Sequence, residues 1–103
     1  MAILTPMDTD RRLLPRYDVA LPIAVGNLRG TTRNLGVNGV SFVAPAALRL
    51  EETINFAILL SPEPNALTMN CTGVVKRSTR TKDGQFEIVA TIDELQLDTA
   101  PRT

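Results

Sequence analysis

Apolar and polar residues alternate along much of the chain between Tyr17 and Ile92, in short stretches separated by turn-forming residues. A period of two is typical of half-buried β-strands, because successive side chains of a strand point to opposite faces of the sheet. The pattern predicts six strands, at residues 17–25, 28–35, 40–44, 54–60, 67–77 and 86–92. No segment shows a helical period over three turns.

Turn signals lie between several of these strands. Gly26-Asn27, Asn38-Gly39 and Asp83-Gly84 are dipeptides that favour tight turns. Pro22 lies inside the first predicted strand and cannot donate a ladder hydrogen bond, so we expect that strand at an edge of the sheet or at a bulge. The connection at residues 46–51 has room for one helical turn at most.

Six strands at this spacing predict an all-β fold, and we expect an antiparallel β-barrel because closure removes exposed strand edges. A chain of 103 residues has room for one such domain. We divide it into a flexible arginine-bearing arm at residues 1–16, a barrel at residues 17–97 and a polar tail at residues 98–103.

The charge balance argues for a small ligand. The formal net charge is zero, but the chain from Arg11 to Arg49 holds six arginines and one acid, Asp18. A neutral chain with locally basic segments suits a small anion better than a long polyanion, so we expect no nucleic acid polymer as partner. With no long apolar run and no secretion signal in the sequence, we expect no membrane insertion and a cytoplasmic location.

Catalytic and metal-binding patterns are absent from the sequence. There is no histidine, and the single cysteine, Cys71, follows the apolar register and is expected to be a buried core thiol. The acidic pairs Glu51-Glu52 and Asp93-Glu94 are sequence neighbours, whose side chains diverge on a strand. We therefore expect no catalytic residue, no metal site and no cofactor, and a chain that is not an enzyme.

Two motifs flank the first predicted hairpin. Arg12 and Arg16, with Arg11 adjacent, have RxxxR spacing, and Asn34 to Gly39 follows the second strand as a degenerate [D/N]xSxxG. Farther on, residues 73–77 read Gly-Val-Val-Lys-Arg. In this order the three signals resemble the PilZ domain family, a bacterial group of cyclic di-GMP receptors, and the resemblance extends from about Arg11 to Glu94.

The resemblance implies a PilZ-like six-stranded barrel that binds cyclic di-GMP and signals to a protein partner. The ligand-binding residues that it implies are Arg11, Arg12, Arg16, Asn34, Gly36, Gly39 and Arg77. Arginine suits this ligand because its planar fork binds phosphate oxygens or the O6/N7 edge of guanine, and its flat face stacks on a base. The Asn34 oxygen would accept from a guanine N–H.

Gly36 departs from the family pattern, which has Ser at this position. A lost neutral hydrogen bond would weaken binding by roughly 0.5–1.5 kcal/mol, or about 2- to 13-fold. The motif residues also have a plainer interpretation. The arginines would then be solvated charges on an arm, Arg77 a surface residue, and Asn34, Gly36 and Gly39 ordinary turn residues.

Two other functions compete with the receptor. One is a PilZ-like adaptor that does not bind cyclic di-GMP and acts through protein–protein contacts, for which the replacement at Gly36 argues. The other is an unrelated barrel that binds single-stranded nucleic acid. Aromatic residues make up 4% of the chain, which argues against the stacking platforms such grooves need.

Overall fold

Eight β-strands form the fold. The structure is a computed structural model that describes residues 16–61 and 66–99, and no residue in these ranges is helical. The strands are β1 Arg16–Tyr17, β2 Pro22–Val25, β3 Leu28–Gly36, β4 Gly39–Ala44, β5 Thr53–Ser61, β6 Leu67–Arg80, β7 Phe86–Thr91 and β8 Glu94–Thr99.

Strands β2 to β7 close into an antiparallel barrel. Their order is β3-β2-β5-β6-β7-β4, and the pairing of β4 with β3 completes the circle. The short strand β1 pairs with the far end of β3, beyond β2, while β8 continues beyond β7 along β6. The prediction of a six-stranded antiparallel barrel is therefore confirmed.

The core fills the barrel with aliphatic side chains and two of the three phenylalanines. Phe42, Ile58, Val75 and Ile88 are almost completely buried. They come from four different strands. The buried apolar residues of each strand occupy alternate positions, as the period-two pattern predicts. Partly buried residues pack around them: Leu21, Val25, Leu28, Leu35, Leu48, Leu60 and Phe86.

Two predicted turns are confirmed by their backbone angles. Gly26 joins β2 to β3 with φ of 62°, and Gly84 lies in the hairpin between β6 and β7 with φ of 85°. These are left-handed conformations that glycine adopts without a steric penalty. The β3–β4 connection also falls where it was predicted, at residues 37–38.

The first predicted strand was wrong in two respects. Residues 17–25 do not form one strand, because residues 18–21 separate β1 from β2. Nor is β2 an edge strand, since it pairs with both β3 and β5. Pro22 is tolerated because it begins β2 and pairs only toward Thr31, whereas pairing with β5 starts at Ile23.

Gly73 marks the point where the partner of β6 changes from β8 to β7. The amide of Asp93 donates to the Thr72 carbonyl at 2.8 Å, and the amide of Val74 donates to the Thr91 hydroxyl at 2.9 Å. A Cβ atom on Gly73 would lie 1.7 Å from the Thr91 carbonyl oxygen. Only glycine lets the two backbones approach this closely.

We expect Gly73→Ala to destabilise the barrel. The added methyl group forces the backbone of Thr91 to move, and overpacking of this kind costs typically about 1–3 kcal/mol. Urea denaturation should show that loss in the free energy of unfolding. The matched control is Thr79→Ala on the exposed side of the same strand, which should cost less than about 1 kcal/mol. Equal losses would show that the close approach at Gly73 is not a constraint.

Candidate functional site

The turn between β3 and β4 lies beside the start of β1. Arg16 pairs with Gly36, and Tyr17 pairs with Leu35. After the two-residue connection at 37–38, the chain enters β4 at Gly39, where a Cβ atom would approach the Ala90 carbonyl oxygen to 3.1 Å. The two sequence motifs are therefore neighbours in the sheet, because the backbone of Arg16 adjoins the motif that begins at Asn34.

A buried threonine fixes the segment that joins β1 to β2. The Thr32 hydroxyl donates to the Val19 carbonyl at 2.5 Å and accepts from the Leu21 amide at 2.8 Å. The Thr32 amide also donates to the Leu21 carbonyl at 2.9 Å. These bonds replace the ladder that residues 18–21 lack, and they hold β1 against the end of β3.

Two β-bulges turn adjacent polar residues toward the same outer surface. In β3 the register shifts between Thr32 and Asn34, so Arg33 is the extra residue. In β6 it shifts between Val75 and Arg77, so Lys76 is extra. Each bulge follows an inward-facing residue, and the two residues after it therefore both face outward. These pairs are Arg33 with Asn34 and Lys76 with Arg77.

The bulges bring Asn34 and Arg77 into one row across four strands. Asn34 pairs with Ser41, Ser41 with Val89, and Val89 with Arg77. Three strand spacings separate the ends of this row, which corresponds to about 14 Å along the sheet. We call these four residues the outer row.

One acid lies beside the outer row. The Glu87 carboxylate accepts from the Ser41 hydroxyl at 3.2 Å and lies 3.9 Å from the Arg33 guanidinium. Both ionic side chains are solvent-exposed, so their pairing contributes little stability. Within the described ranges, the Asn34 amide and the Arg77 guanidinium have no hydrogen-bond or ion-pair partner.

Comparison with known proteins identifies the fold family. The sequence model of the PilZ domain matches residues 9–100. This chain belongs to the PilZ domain family. PilZ domains are binding or adaptor domains, and they typically bind cyclic di-GMP.

A solved structure has the same fold as this PilZ domain. It is the Bacillus subtilis inhibitor of motility, MotI/DgrA, which superposes with a TM-score of 0.72 at 19% sequence identity. The match covers 85% of this chain and 44% of that one, so the PilZ domain spans less than half of MotI/DgrA. No curated protein matches the sequence.

The predicted site residues of this PilZ domain fall into three groups. Asn34, Gly36 and Gly39 lie at the β3–β4 turn, next to the Arg16 backbone. Arg77 lies at the other end of the outer row. Arg11 and Arg12 lie outside the described residues, as does the side chain of Arg16.

Sequence reasoning missed two polar groups on this surface, Ser41 and Glu87. Ser41 could have been found, since it lies between the apolar residues Val40 and Phe42 and must face outward. No signal in the sequence shows that Glu87 lies beside it, because strands β4 and β7 are far apart along the chain. The bulges are equally invisible to a period-two pattern.

Cys71 has the environment of a core residue. It is 4% exposed, and burial raises the pKa of its thiol to about 11. Its Sγ contacts the Met69 carbonyl at 4.0 Å. The expectation of a buried core thiol is therefore confirmed for Cys71. Among the residues that the structure describes, no three or more acidic or cysteine side chains cluster as metal ligands would, and no helix could cross a bilayer.

We expect Cys71 to resist thiol reagents in the folded protein. With a pKa near 11, its thiolate fraction at pH 8 is on the order of 100-fold lower than that of a free thiol of pKa 9.0. Because the pKa is higher in the folded state, folding favours the neutral thiol. The stability that this preference contributes is fully present below pH 9 and is lost as the pH rises toward 11. Ellman's reagent should react rapidly only after urea unfolding. Fast reaction of the native protein would contradict this assignment.

Proposed function

We propose that this PilZ domain is a receptor for cyclic di-GMP that changes conformation on binding and signals to a protein partner. The observation that supports it best is the pairing of Arg16 with Gly36, which joins the RxxxR segment to the motif after β3. The proposed ligand-binding residues are Arg11, Arg12, Arg16, Asn34, Gly36, Gly39 and Arg77.

The polar groups on the outer row match the chemistry of the ligand. Cyclic di-GMP carries two phosphate charges and two guanines. The Arg77 guanidinium can bind a phosphate or a guanine edge in bidentate fashion, and the Asn34 side-chain oxygen can accept from a guanine N–H. Neither group has to break an interaction with another described residue first, which lowers the free-energy cost of binding.

The Glu87 carboxylate would repel a phosphate, but the neighbouring Arg33 can offset this repulsion. The Arg33–Glu87 contact is long and exposed, so it is easily exchanged for a stronger one. A phosphate near the β3 bulge would attract Arg33 from Glu87 through charge-assisted hydrogen bonds. Arg33 is thus an additional cation for the site, supplied by the bulge.

Signalling follows from the attachment of the arm at β1. Arg11 and Arg12 precede a strand of two residues, Arg16–Tyr17, whose partner among the described strands is β3. Ligand contacts with these arginines would place the segment over the outer surface and change what the domain presents to a partner. The ligand shifts the equilibrium between the two conformations only by its differential affinity for them.

We expect Arg16→Ala to weaken cyclic di-GMP binding by about 10- to 150-fold, because charge-assisted hydrogen bonds contribute about 1.5–3 kcal/mol. Isothermal titration calorimetry measures the affinity, with GTP and cyclic di-AMP as controls for selectivity. Arg12→Ala should behave in the same way. Lys82→Ala, which removes one positive charge from the exposed β6–β7 hairpin, should bind as the parent does. Equal affinities for the three variants would contradict the assignment of the arginines.

We expect Gly36→Ser to strengthen the same interaction. The substitution restores the hydroxyl of the family pattern, and one neutral hydrogen bond corresponds to about 2- to 13-fold in affinity. Gly36 is a strand residue of β3, so serine suits its backbone conformation. Unchanged or weaker binding would show that the hydroxyl contributes nothing at this position.

A second candidate function is an adaptor that does not bind the nucleotide and acts through protein–protein contacts. Gly36 in place of Ser favours it, as does the Glu87 carboxylate beside the outer row. The parent titration separates the two. A heat of binding with cyclic di-GMP but not with the control nucleotides supports the receptor. No heat of binding with cyclic di-GMP, from protein shown to be folded, supports the adaptor.

A further inference from the structure

Strand β8 has one edge on which none of the described strands pairs. It pairs with the first half of β6, from Leu67–Thr99 to Thr72–Glu94, and with no other strand in the described part of the chain. All six of its residues are exposed. The row of N–H and C=O groups on its outer edge is therefore open for pairing with another strand.

The two faces of β8 differ in character. Leu95 and Leu97 lie opposite Cys71 and Met69, on the face that is continuous with the barrel interior. They are nevertheless 48% and 54% exposed, so about half of each side chain remains in solvent. The barrel wall ends here, and these two leucines extend its apolar inner face into solvent.

The opposite face of β8 carries acidic side chains and no basic ones. Glu94 and Asp98 point outward beside Asn70 and Thr72, and the Asn70 amide donates to the Asp98 carboxylate at 2.5 Å. On the neighbouring strand β5, the side-chain carbonyl oxygen of Asn55 accepts from the Thr72 hydroxyl, and Ala57 lies opposite Asn70 on the same face. No basic side chain of these paired strand segments lies on this face to neutralise the two carboxylates.

Natural edge strands usually carry protection against pairing, in the form of lysine, proline or a bulge. Strand β8 contains no lysine or proline, and its register with β6 has no shift. An edge with one apolar face and no lysine, proline or bulge fits the recognition mode in which a partner adds a strand to a sheet. Backbone hydrogen bonds then supply affinity, and alternate side chains supply specificity.

The charges select the partner. In every register that keeps Leu95 and Leu97 on the apolar face, two copies of β8 would gather four carboxylates on the other face. Like charges on paired strands are destabilising, whereas opposite charges contribute favourably. The complementary strand therefore has apolar residues at alternate positions and lysine or arginine between them.

We propose that β8 is the docking edge for an extended segment of a partner protein in which apolar residues alternate with basic ones. The segment would pair with the free edge of β8, cover Leu95 and Leu97, and bring its basic side chains to Glu94 and Asp98. This inference names the partner chemistry that the proposed function requires. The test uses no nucleotide, so the two proposals can fail separately.

The test is fluorescence anisotropy with the full chain and a fluorescein-labelled peptide, Thr-Lys-Val-Lys-Val-Lys-Thr. We expect saturable binding that weakens as salt is added, because the ion pairs are exposed. The acidic peptide Thr-Glu-Val-Glu-Val-Glu-Thr should bind at least about tenfold more weakly, since exposed charge pairs contribute up to about 1 kcal/mol each. Equal binding of the two peptides would overturn the proposal.

Backbone pairing is tested with two N-methylated isomers. Amides of successive residues in an extended strand point to opposite edges, so methyl groups on the valines block one edge and those on the lysines block the other. Strand addition requires that only one isomer loses binding. If both isomers bind equally, whether well or poorly, the contact is not strand pairing.

Variants locate the contact on β8. Glu94→Lys with Asp98→Lys should weaken binding of the basic peptide by about tenfold or more. The control is Asp18→Lys with Asp83→Lys, which changes the net charge equally at exposed acids away from β8 and should bind as the parent does. Equal effects of the two double variants would show that peptide binding depends only on the net charge of the protein, which would contradict a site on β8.

Leu97→Asp provides the second variant, and circular dichroism should show it folded because Leu97 lies outside the core. We expect it to weaken peptide binding by about tenfold. Sedimentation of the chain alone gives the remaining outcome. A dimer that dissociates on Leu97→Asp would assign this edge to a second copy and would overturn the proposal.

Discussion

Closure of the barrel between β3 and β4 is the constraint on which the rest of this structure depends. Once these strands pair, each of β2 to β7 has a neighbour on both sides, and the inner face is sealed around Phe42 and Ile58. Closure also fixes where surplus residues can go. Because the inward positions are committed to the core, the extra residues Arg33 and Lys76 are accommodated as outward bulges.

Most of the barrel could be predicted from the sequence, because its strands are buried on one face only. Alternation identifies a strand in such a setting, and the glycines at positions 26 and 84 mark turns that need positive φ. Alternation does not reveal which strands are neighbours, so Pro22 predicted an edge strand or a bulge, although β2 has a neighbour on both sides. The six predicted strands also omit β8, whose leucines alternate with polar residues but are exposed.

The candidate site was predictable to the extent that it is local. The Asn34–Gly39 motif is one continuous segment that spans the end of β3, the connection at residues 37–38 and the first residue of β4, and the spacing of Arg12 and Arg16 is equally local in sequence. The outer row is different, since Asn34 and Arg77 are aligned by two bulges and three strand pairings. Such an alignment depends on tertiary register, which no short motif encodes. The same holds for Glu87, whose contact with Ser41 spans 46 residues of sequence.

That separation between β4 and β7 has a kinetic consequence. Strand β4 finds its first neighbour, β3, through a turn of two residues, but its second neighbour is β7, which follows only after β5 and β6. The entropy of closing so long a loop must be overcome before the contacts form, which slows folding. During synthesis, β3 and β4 emerge as a hairpin whose β4 edge stays open until β7 has left the ribosome. The barrel therefore closes only after β7 is available, and until then the edge of β4 is open to mispairing.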